Sequence, residues 1–464
     1  MSATDLNATS AIASPPRHPP MNQRRVLTLA LPIIGENLLQ TTVGVVDTLL
    51  VSRLGDDAIA GVGVGAELIF FTIAILSAVS IGATVLVSQA IGAGNAERAN
   101  RFARQAISWG LVIAVPLSVL LFLLAPAIID LFGTEPDVHD LAVEYFEVIG
   151  ATASVLLLSF LCGAVLRGAG DTKTPLKAAS MANVVNVIAA YLLIFGHLGL
   201  PELGVAGSAW GATIGRGVSA LYMLQALWKG STPVSIHGTS GWQPRRTFGV
   251  DLFRLGIPAA IEQMMVQGGT TVLVVIVASL GSAALTAQQI NFTVMSLAQL
   301  PASGVSIAAT ALVGQSIGAR SLTDARRAAV IGFRLSLGWM IFATAIYVVF
   351  SHQIIDIFSD DRTVIELGTR GLRAIAASLP FWGMWFVTAG TLRGSGDTRG
   401  PMIRGGLTIW TSVALAWIGV NLFDLGIGWV WLTFIISAPI SGIGNILAFQ
   451  RRLNSLQAEP IYQP

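Results

Sequence analysis

The sequence is poor in charge. Asp, Glu, Lys and Arg make up 11% of its 464 residues, where a soluble chain has roughly a quarter, and 53% are hydrophobic. That deficit excludes a water-soluble globular protein, and with it soluble enzymes and nucleic-acid binders. The formal net charge of +2 gives a polyanion no reason to bind. Cysteine is nearly absent as well: one residue, Cys162, excludes an intrachain disulfide framework and a Cys-based metal cluster. None of the five histidines lies in an HExxH arrangement and no GxxxxGK[ST] occurs, so neither a metalloenzyme nor an ATPase is indicated, and no cofactor or metal is expected. What the chain has instead is apolar length. Twelve spans of about 20 residues need roughly 240 apolar positions, which the composition supplies. Helices are the expected form, because no open sheet edge survives in hydrocarbon and the alternation of a membrane barrel is missing.

Residues 1–22 are rich in Ser, Thr, Ala and Pro without a signal-peptide pattern and read as a disordered tail. Twelve helices are expected at about 26–51, 58–84, 103–127, 141–164, 175–198, 205–228, 251–276, 283–312, 328–350, 367–390, 402–423 and 428–450. With that layout, 22 of the 27 Lys and Arg fall on the side of the termini, only Arg53, Arg362, Arg370 and Arg373 fall on the other, and Arg216 lies within the sixth helix. The positive-inside rule then places both termini in the cytoplasm of a cell whose inner membrane holds the protein.

An internal repeat organises the chain. At an offset of 226, Pro32 and Glu36 meet Pro258 and Glu262, Gln89 with Ile91-Gly92-Ala93 meets Gln315 with Ile317-Gly318-Ala319, and Leu166-Arg167-Gly168-Ala169-Gly170-Asp171-Thr172 meets Leu392-Arg393-Gly394-Ser395-Gly396-Asp397-Thr398. Six helices per half is an even number, so the halves enter from the same side and are related by a pseudo-two-fold axis along the membrane normal. The expected architecture is an N-terminal lobe at 23–230, a linker at 231–249 and a C-terminal lobe with a short tail at 250–464.

Four carboxylates, Glu36, Asp47, Glu67 and Glu262, are left inside the membrane, where an ionised acid costs several kcal/mol and is a functional hypothesis by default. Glu36, Gln40 and Asp47 fall within roughly 40° of one another on a helix, with Asp47 about 16 Å above Glu36. This stripe reads either as a proton or cation path or as hydrogen-bonded groups that fix packing. Glu36 and Glu262 each follow a helix proline by four residues and so stand beside an expected bend. In the second half, Gln288, Gln289 and Asn291, with Gln263 and Gln267, form a polar set without a second acid, and such amides serve packing as readily as binding. In the R-G-x-G-D-T loops, Gly168 and Gly394 are expected to cap helices in a left-handed conformation, Thr174-Pro175 to start the next helix, and Arg167 and Arg393 to act as anchors at the membrane surface.

With the repeated R-G-x-G-D-T and Val45-Val46-Asp47-Thr48 in hand, the chain resembles the multidrug and toxic compound extrusion (MATE) family, bacterial type, over about residues 24–450. The resemblance implies a V-shaped pair of six-helix lobes acting as a secondary antiporter, which exports amphipathic, often cationic small molecules in exchange for protons or sodium ions. It matches Asp47, Asn186 and Thr213 to coupling-ion positions. The family's second aspartate is Ala190 here, and its C-lobe glutamate position is Val266. Losing a hard carboxylate ligand favours a proton over sodium. Glu67 joins the same network or lines the cleft. By the same analogy Phe70, Phe71, Met264, Met265, Phe292 and Met295 lie on cleft-side helices, and Met264, Met265, Phe292 and Met295 are the candidates for substrate contact. The bilayer and the substrate are the expected partners, with the protein a monomer. A lipid-precursor flippase, a channel and a non-transporting scaffold are the competing readings.

Overall fold

A computed structural model describes residues 21–458, so residues 1–20 of the expected tail at 1–22 lie outside the described residues, while Met21 is buried in a core and Asn22 caps the first helix. The chain forms helices α1 (Gln23–Val51), α2 (Asp56–Gly92), α3 (Ala96–Leu123), α4 (Ala125–Asp130), α5 (Pro136–Ala151), α6 (Ala153–Ala169), α7 (Lys173–Phe195) and α8 (Gly204–Lys229), then α9 (Arg246–Ala278), α10 (Ser282–Gly318), α11 (Leu322–Val349), α12 (Ser351–Asp356), α13 (Arg362–Gly394), α14 (Arg399–Phe423) and α15 (Ile427–Gln457). Among the described residues ten helices are long and apolar enough to cross a membrane, and the bent pair α5 and α6 makes an eleventh span. The twelfth unit, α8, contains five glycines and Arg216, which lower its hydropathy while letting it pack closely. The protein is a multi-pass membrane protein with two six-span lobes.

The 226-residue register holds in space. α2 and α10 start and stop at equivalent residues, as do α3 and α11, and α4 and α12. Gly55 and Gly281, one residue before α2 and α10, have φ of 113° and 107°, a left-handed region open to glycine without strain. α2 and α10 run 37 residues each, well past the expected ends at 84 and 312, and the turns after them are short because Asn95 and Ser321 cap the next helices at Arg98 and Asp324. One mate differs: the fourth span is bent by 52° between α5 and α6 at Thr152, while α13 runs unbroken through Pro380. Pro32 and Pro258 also remain inside single helices.

The two R-G-x-G-D-T turns correct the expected glycine roles. Gly170 and Gly396, not Gly168 and Gly394, take the left-handed conformation, each at φ 89°. Gly168 stays helical against the α2 backbone, where a Cβ would come 2.7 Å from the Thr84 carbonyl, and Gly394 meets Thr310 the same way. The N-cap of α7 is Thr172 instead of Thr174, and the side chain that serves the first turn is that of Asp171 just before it: its carboxylate accepts from the Lys173 and Thr174 amides at 3.1 Å, and Asp397 accepts from Gly400 at 2.9 Å.

The lobes join toward the end of the bundle that carries these turns and the 230–245 linker, called here the linker face. Val26, Leu29, Ala30 and Ile33 of α1 pack into a core with Val305, Ala309 and Val313 of α10. Gly92 and Gly318 each rest on the backbone of the other lobe, at Gln315 and Gln89. Those two glutamines donate symmetrically across the junction, Gln89 Nε2 to the Gly394 carbonyl and Gln315 Nε2 to the Gly168 carbonyl, both at 3.2 Å.

Candidate functional site

A charged group in a helix packed among apolar neighbours needs a partner, and the structure gives the four membrane carboxylates three kinds of surroundings. Asp47, four residues before the end of α1, is half-buried. Asn186 of α7 donates Nδ2 to its Oδ2 at 3.2 Å. Asp47 Oδ1 and Asn186 Oδ1 are buried without a hydrogen-bond partner among the described residues. Arg216 of α8 and Tyr145 of α5 complete the electrostatic surroundings of this carboxylate. Thr213 is buried one helical turn from Arg216, and its hydroxyl shares a 2.9 Å hydrogen bond with Thr152 at the α5–α6 bend. Asp47 and Asn186 thus share a neighbourhood with Arg216 and Tyr145, which sequence reasoning had not joined to them, while the hydrogen bond of Thr213 is to Thr152 and not to Asp47 or Asn186.

The local reason is close helix packing. Gly207, Gly211 and Gly215 recur every four residues along α8 and let it lie on the α7 backbone. At Gly211 an added Cβ would sit 2.7 Å from the Cα and Cβ of Ala190, whose side chain is fully buried. The position that resembles the family's second aspartate therefore has no room for a carboxylate. Asn186 is left as the α7 polar group facing Asp47.

Glu36 does not continue this site. Arg167 Nη1 donates to both of its oxygens, at 3.0 and 3.1 Å. Its mate behaves alike: Arg393 Nη2 donates to Glu262 Oε2 at 2.7 Å, and the Glu262 side chain is only 2% exposed. The two arginines, expected as surface anchors, turn back into the bundle to pair with acids from the first helix of each lobe. A signal for this was present, since glutamate and arginine are 131 residues apart in both halves. In the C-terminal lobe the pair continues beside Arg404, whose Nε donates to Asn445 Oδ1 at 2.5 Å. Gln40 and Glu67 are exposed, so Glu36, Gln40 and Asp47 share a face without forming a continuous buried path.

The second-lobe candidates are dispersed. Glu262 precedes the end of α9 by 16 residues and Gln288 follows the start of α10 by six, a difference in height of about 15 Å. Gln288 is buried and accepts a hydrogen bond from Trp431 Nε1 at 2.5 Å, with Asn291 buried beside it, while Gln289 is exposed. Of the proposed substrate contacts, Met295 is buried in the lobe core, Phe292 is edge-on to Phe434 at 6.1 Å, Met265 packs on Gly406, and Met264 is exposed. Phe70 is exposed and Phe71 half-buried. These side chains do not line one pocket. Among the described residues no cluster of His, Cys, Asp and Glu could hold a metal ion.

Comparison with known proteins follows the same division of the chain. The model of the family described as MatE matches residues 32–192 and 258–418, two stretches displaced by 226 residues at both ends. A probable multidrug resistance protein NorM of Thermotoga maritima is 31% identical over 441 residues, 94% of either chain. YoeA of Bacillus subtilis, named a probable multidrug resistance protein, is 28% identical over 428 residues, 90% of this chain and 91% of its own. Among solved structures, a MATE protein in complex with MaL6 has a TM-score of 0.88 at 21% identity, covering 94% of this chain and 97% of its own. A MOP superfamily transporter from Pyrococcus furiosus gives 0.87 at 21% identity with the same coverage. At that identity the solved structures speak for the fold.

Proposed function

Because this chain belongs to the MatE family of membrane transporters, which are not enzymes, we propose that it exports amphipathic, cationic small molecules across the inner membrane in exchange for protons, with both termini in the cytoplasm. Two relatives named as multidrug resistance proteins support drug extrusion. The observation that carries the coupling is the Asp47 neighbourhood: an acid in a membrane span, hydrogen-bonded to Asn186 on one oxygen and unpartnered on the other. A proton on Oδ1 would supply the missing hydrogen bond donor and remove the charge that faces Arg216 and Asn186. Loss of that charge weakens what holds α1 against α7 and α8, and so shifts the balance between the state joined at the linker face and the state open there. A coupling ion moves such an equilibrium only through its differential affinity for the two states. Packing at Ala190 and Gly211 leaves this site a single carboxylate, which supports a proton over a sodium ion.

The test is dye efflux from reconstituted vesicles under separately imposed pH and sodium gradients. Wild-type protein is expected to respond to the pH gradient, and Asp47→Asn at equal insertion to fall to the level of vesicles without protein. Efflux that follows the sodium gradient alone, or an Asp47→Asn protein that still follows the pH gradient, sinks the assignment.

A further inference from the structure

A groove on the linker face, between α3 of the first lobe and α9 and α14 of the second, has no part in the coupling described above. It encloses about 630 Å3 and carries three arginines, Arg246 and Arg254 on α9 and Arg399 at the start of α14. All three are exposed, and none belongs to an ion pair among the described residues. Eight residues separate Arg246 from Arg254, so they share a helix face about 12 Å apart. Along that face the lining turns apolar, with Val250 and Ile257 at 55% and 48% exposed and Phe253 half-buried between them. Asp251, the only carboxylate of α9 before Glu262, is not among the lining residues. The floor is held in place: Trp109 of α3 donates Nε1 to the Arg245 carbonyl at 3.3 Å and meets Phe253 edge-on at 5.9 Å. Gly249 makes room for the indole, since a Cβ there would come within 2.8 Å of it.

The repeat separates this feature from the shared scaffold. At the equivalent positions on α11, α1 and α7 stand Leu335, Thr28 and Lys173 in place of Trp109, Arg254 and Arg399. Packing six helices does not require the arginines.

The geometry points to a binding site for an anionic phospholipid, its phosphate held by Arg246, Arg254 and Arg399 and an acyl chain lying along Val250, Phe253 and Ile257. Guanidinium groups match phosphate oxygens in charge and fork geometry. An indole suits the headgroup level, and basic pockets between membrane helices favour acidic headgroups. A zwitterionic lipid brings the same phosphate but sets its own cation against three others. Because the groove takes its walls from both lobes, a lipid seated in it bridges them and favours the state joined at the linker face.

Native mass spectrometry of the full-length protein in detergent, titrated separately with phosphatidylglycerol, phosphatidylcholine and inorganic phosphate, tests this. Wild-type protein is expected to retain phosphatidylglycerol about tenfold or more over phosphatidylcholine, the scale of one added charge-assisted contact. The triple variant Arg246→Gln, Arg254→Gln, Arg399→Gln should lose that preference, while Arg326→Gln, Arg327→Gln, exposed arginines elsewhere on the linker face, keeps it. Each single Gln variant should lose part of it, which keeps the test decisive if the triple variant unfolds. Equal retention of both lipids by wild type, unchanged preference in all the groove variants, or binding of inorganic phosphate without lipid discrimination would each overturn the proposal.

Discussion

The two lobes repeat their second and third spans to the residue and yet keep their polar groups at different heights. In the first lobe the charged cluster is Asp47, Asn186, Tyr145 and Arg216, close to the end of α1 that lies away from the linker face. The second lobe has Leu273, Ser412, Gly371 and Gly442 at the same positions, with no ionisable group among them. Nearer the linker face the order reverses: both lobes keep a glutamate–arginine pair, but only the second adds Arg404 and Asn445 beside it. What is duplicated belongs to the scaffold, and what is not duplicated is where a task peculiar to one lobe can reside. By that criterion Asp47 is the candidate for coupling, and Glu36 and Glu262 tie the first span of each lobe to the end of the fourth.

Breaking one of these pairs is the harshest test of that division. Glu262→Gln leaves Arg393 facing a neutral amide in a site where the acid was 2% exposed, and is expected to cost about 3–5 kcal/mol, read as a lowered unfolding temperature in detergent. Glu36→Gln should cost less, because both members of its pair retain 12–13% exposure and water can partly replace the acid. Adding Arg393→Gln to Glu262→Gln should restore much of the loss, since the uncompensated cation goes with it. If either glutamate variant instead keeps its unfolding temperature and loses gradient-driven efflux, the pair is part of the coupling path and the contrast between duplicated and unduplicated groups fails.

A smaller effect is expected where the lobes exchange volume across one contact. In the first lobe Gly65 of α2 gives way to the Tyr145 ring. In the second their mates are Asn291 and Gly371, with the small residue on the other helix. Gly65→Asn should therefore overpack and cost about 1–3 kcal/mol. Combined with Tyr145→Gly it recreates the second-lobe arrangement, and the double variant should lose less than the sum of the singles. Strict additivity in thermal unfolding would mean that the two positions do not share the space the structure gives them.

The helices, the repeat and the pseudo-two-fold relation were legible in the sequence because each rests on local pattern: apolar length, residue spacing, and recurrence at 226. Asp47 could be singled out too, since an acid in a span is conspicuous. The partners could not. Arg167 reads as a surface cation because it borders a glycine-rich turn, and nothing nearby says that it folds back onto a residue 131 positions earlier. Helix ends were misjudged for a related reason. α2 continues to Gly92 through Gln89, whose polar side chain looks like loop until it is seen to bond the other lobe at Gly394. The break at Thr152 follows no proline, whereas Pro380 breaks nothing, so tertiary packing outweighs local preference at both places. Ala190 seemed only a departure from a family pattern until Gly211 was found lying against it.

The smallest expected effect, that of Gln89→Ala, probes the junction where the symmetry is closest. Gln89 and Gln315 donate to equivalent carbonyls at the same 3.2 Å, so on that count Gln89→Ala and Gln315→Ala should cost alike, about 1 kcal/mol each. Gln315 has a second duty: its Oε1 accepts from Arg25 Nη2 at 3.3 Å, a bond to a charged donor near the start of α1. Hydrogen bonds to charged groups contribute about 1.5–3 kcal/mol, so Gln315→Ala should lower the unfolding temperature further than Gln89→Ala. Arg25→Gln should remove most of that difference when combined with Gln315→Ala in a double-variant cycle. Equal losses for the two glutamines would mean that the Arg25 contact contributes nothing and that the junction is as symmetric in energy as it is in geometry.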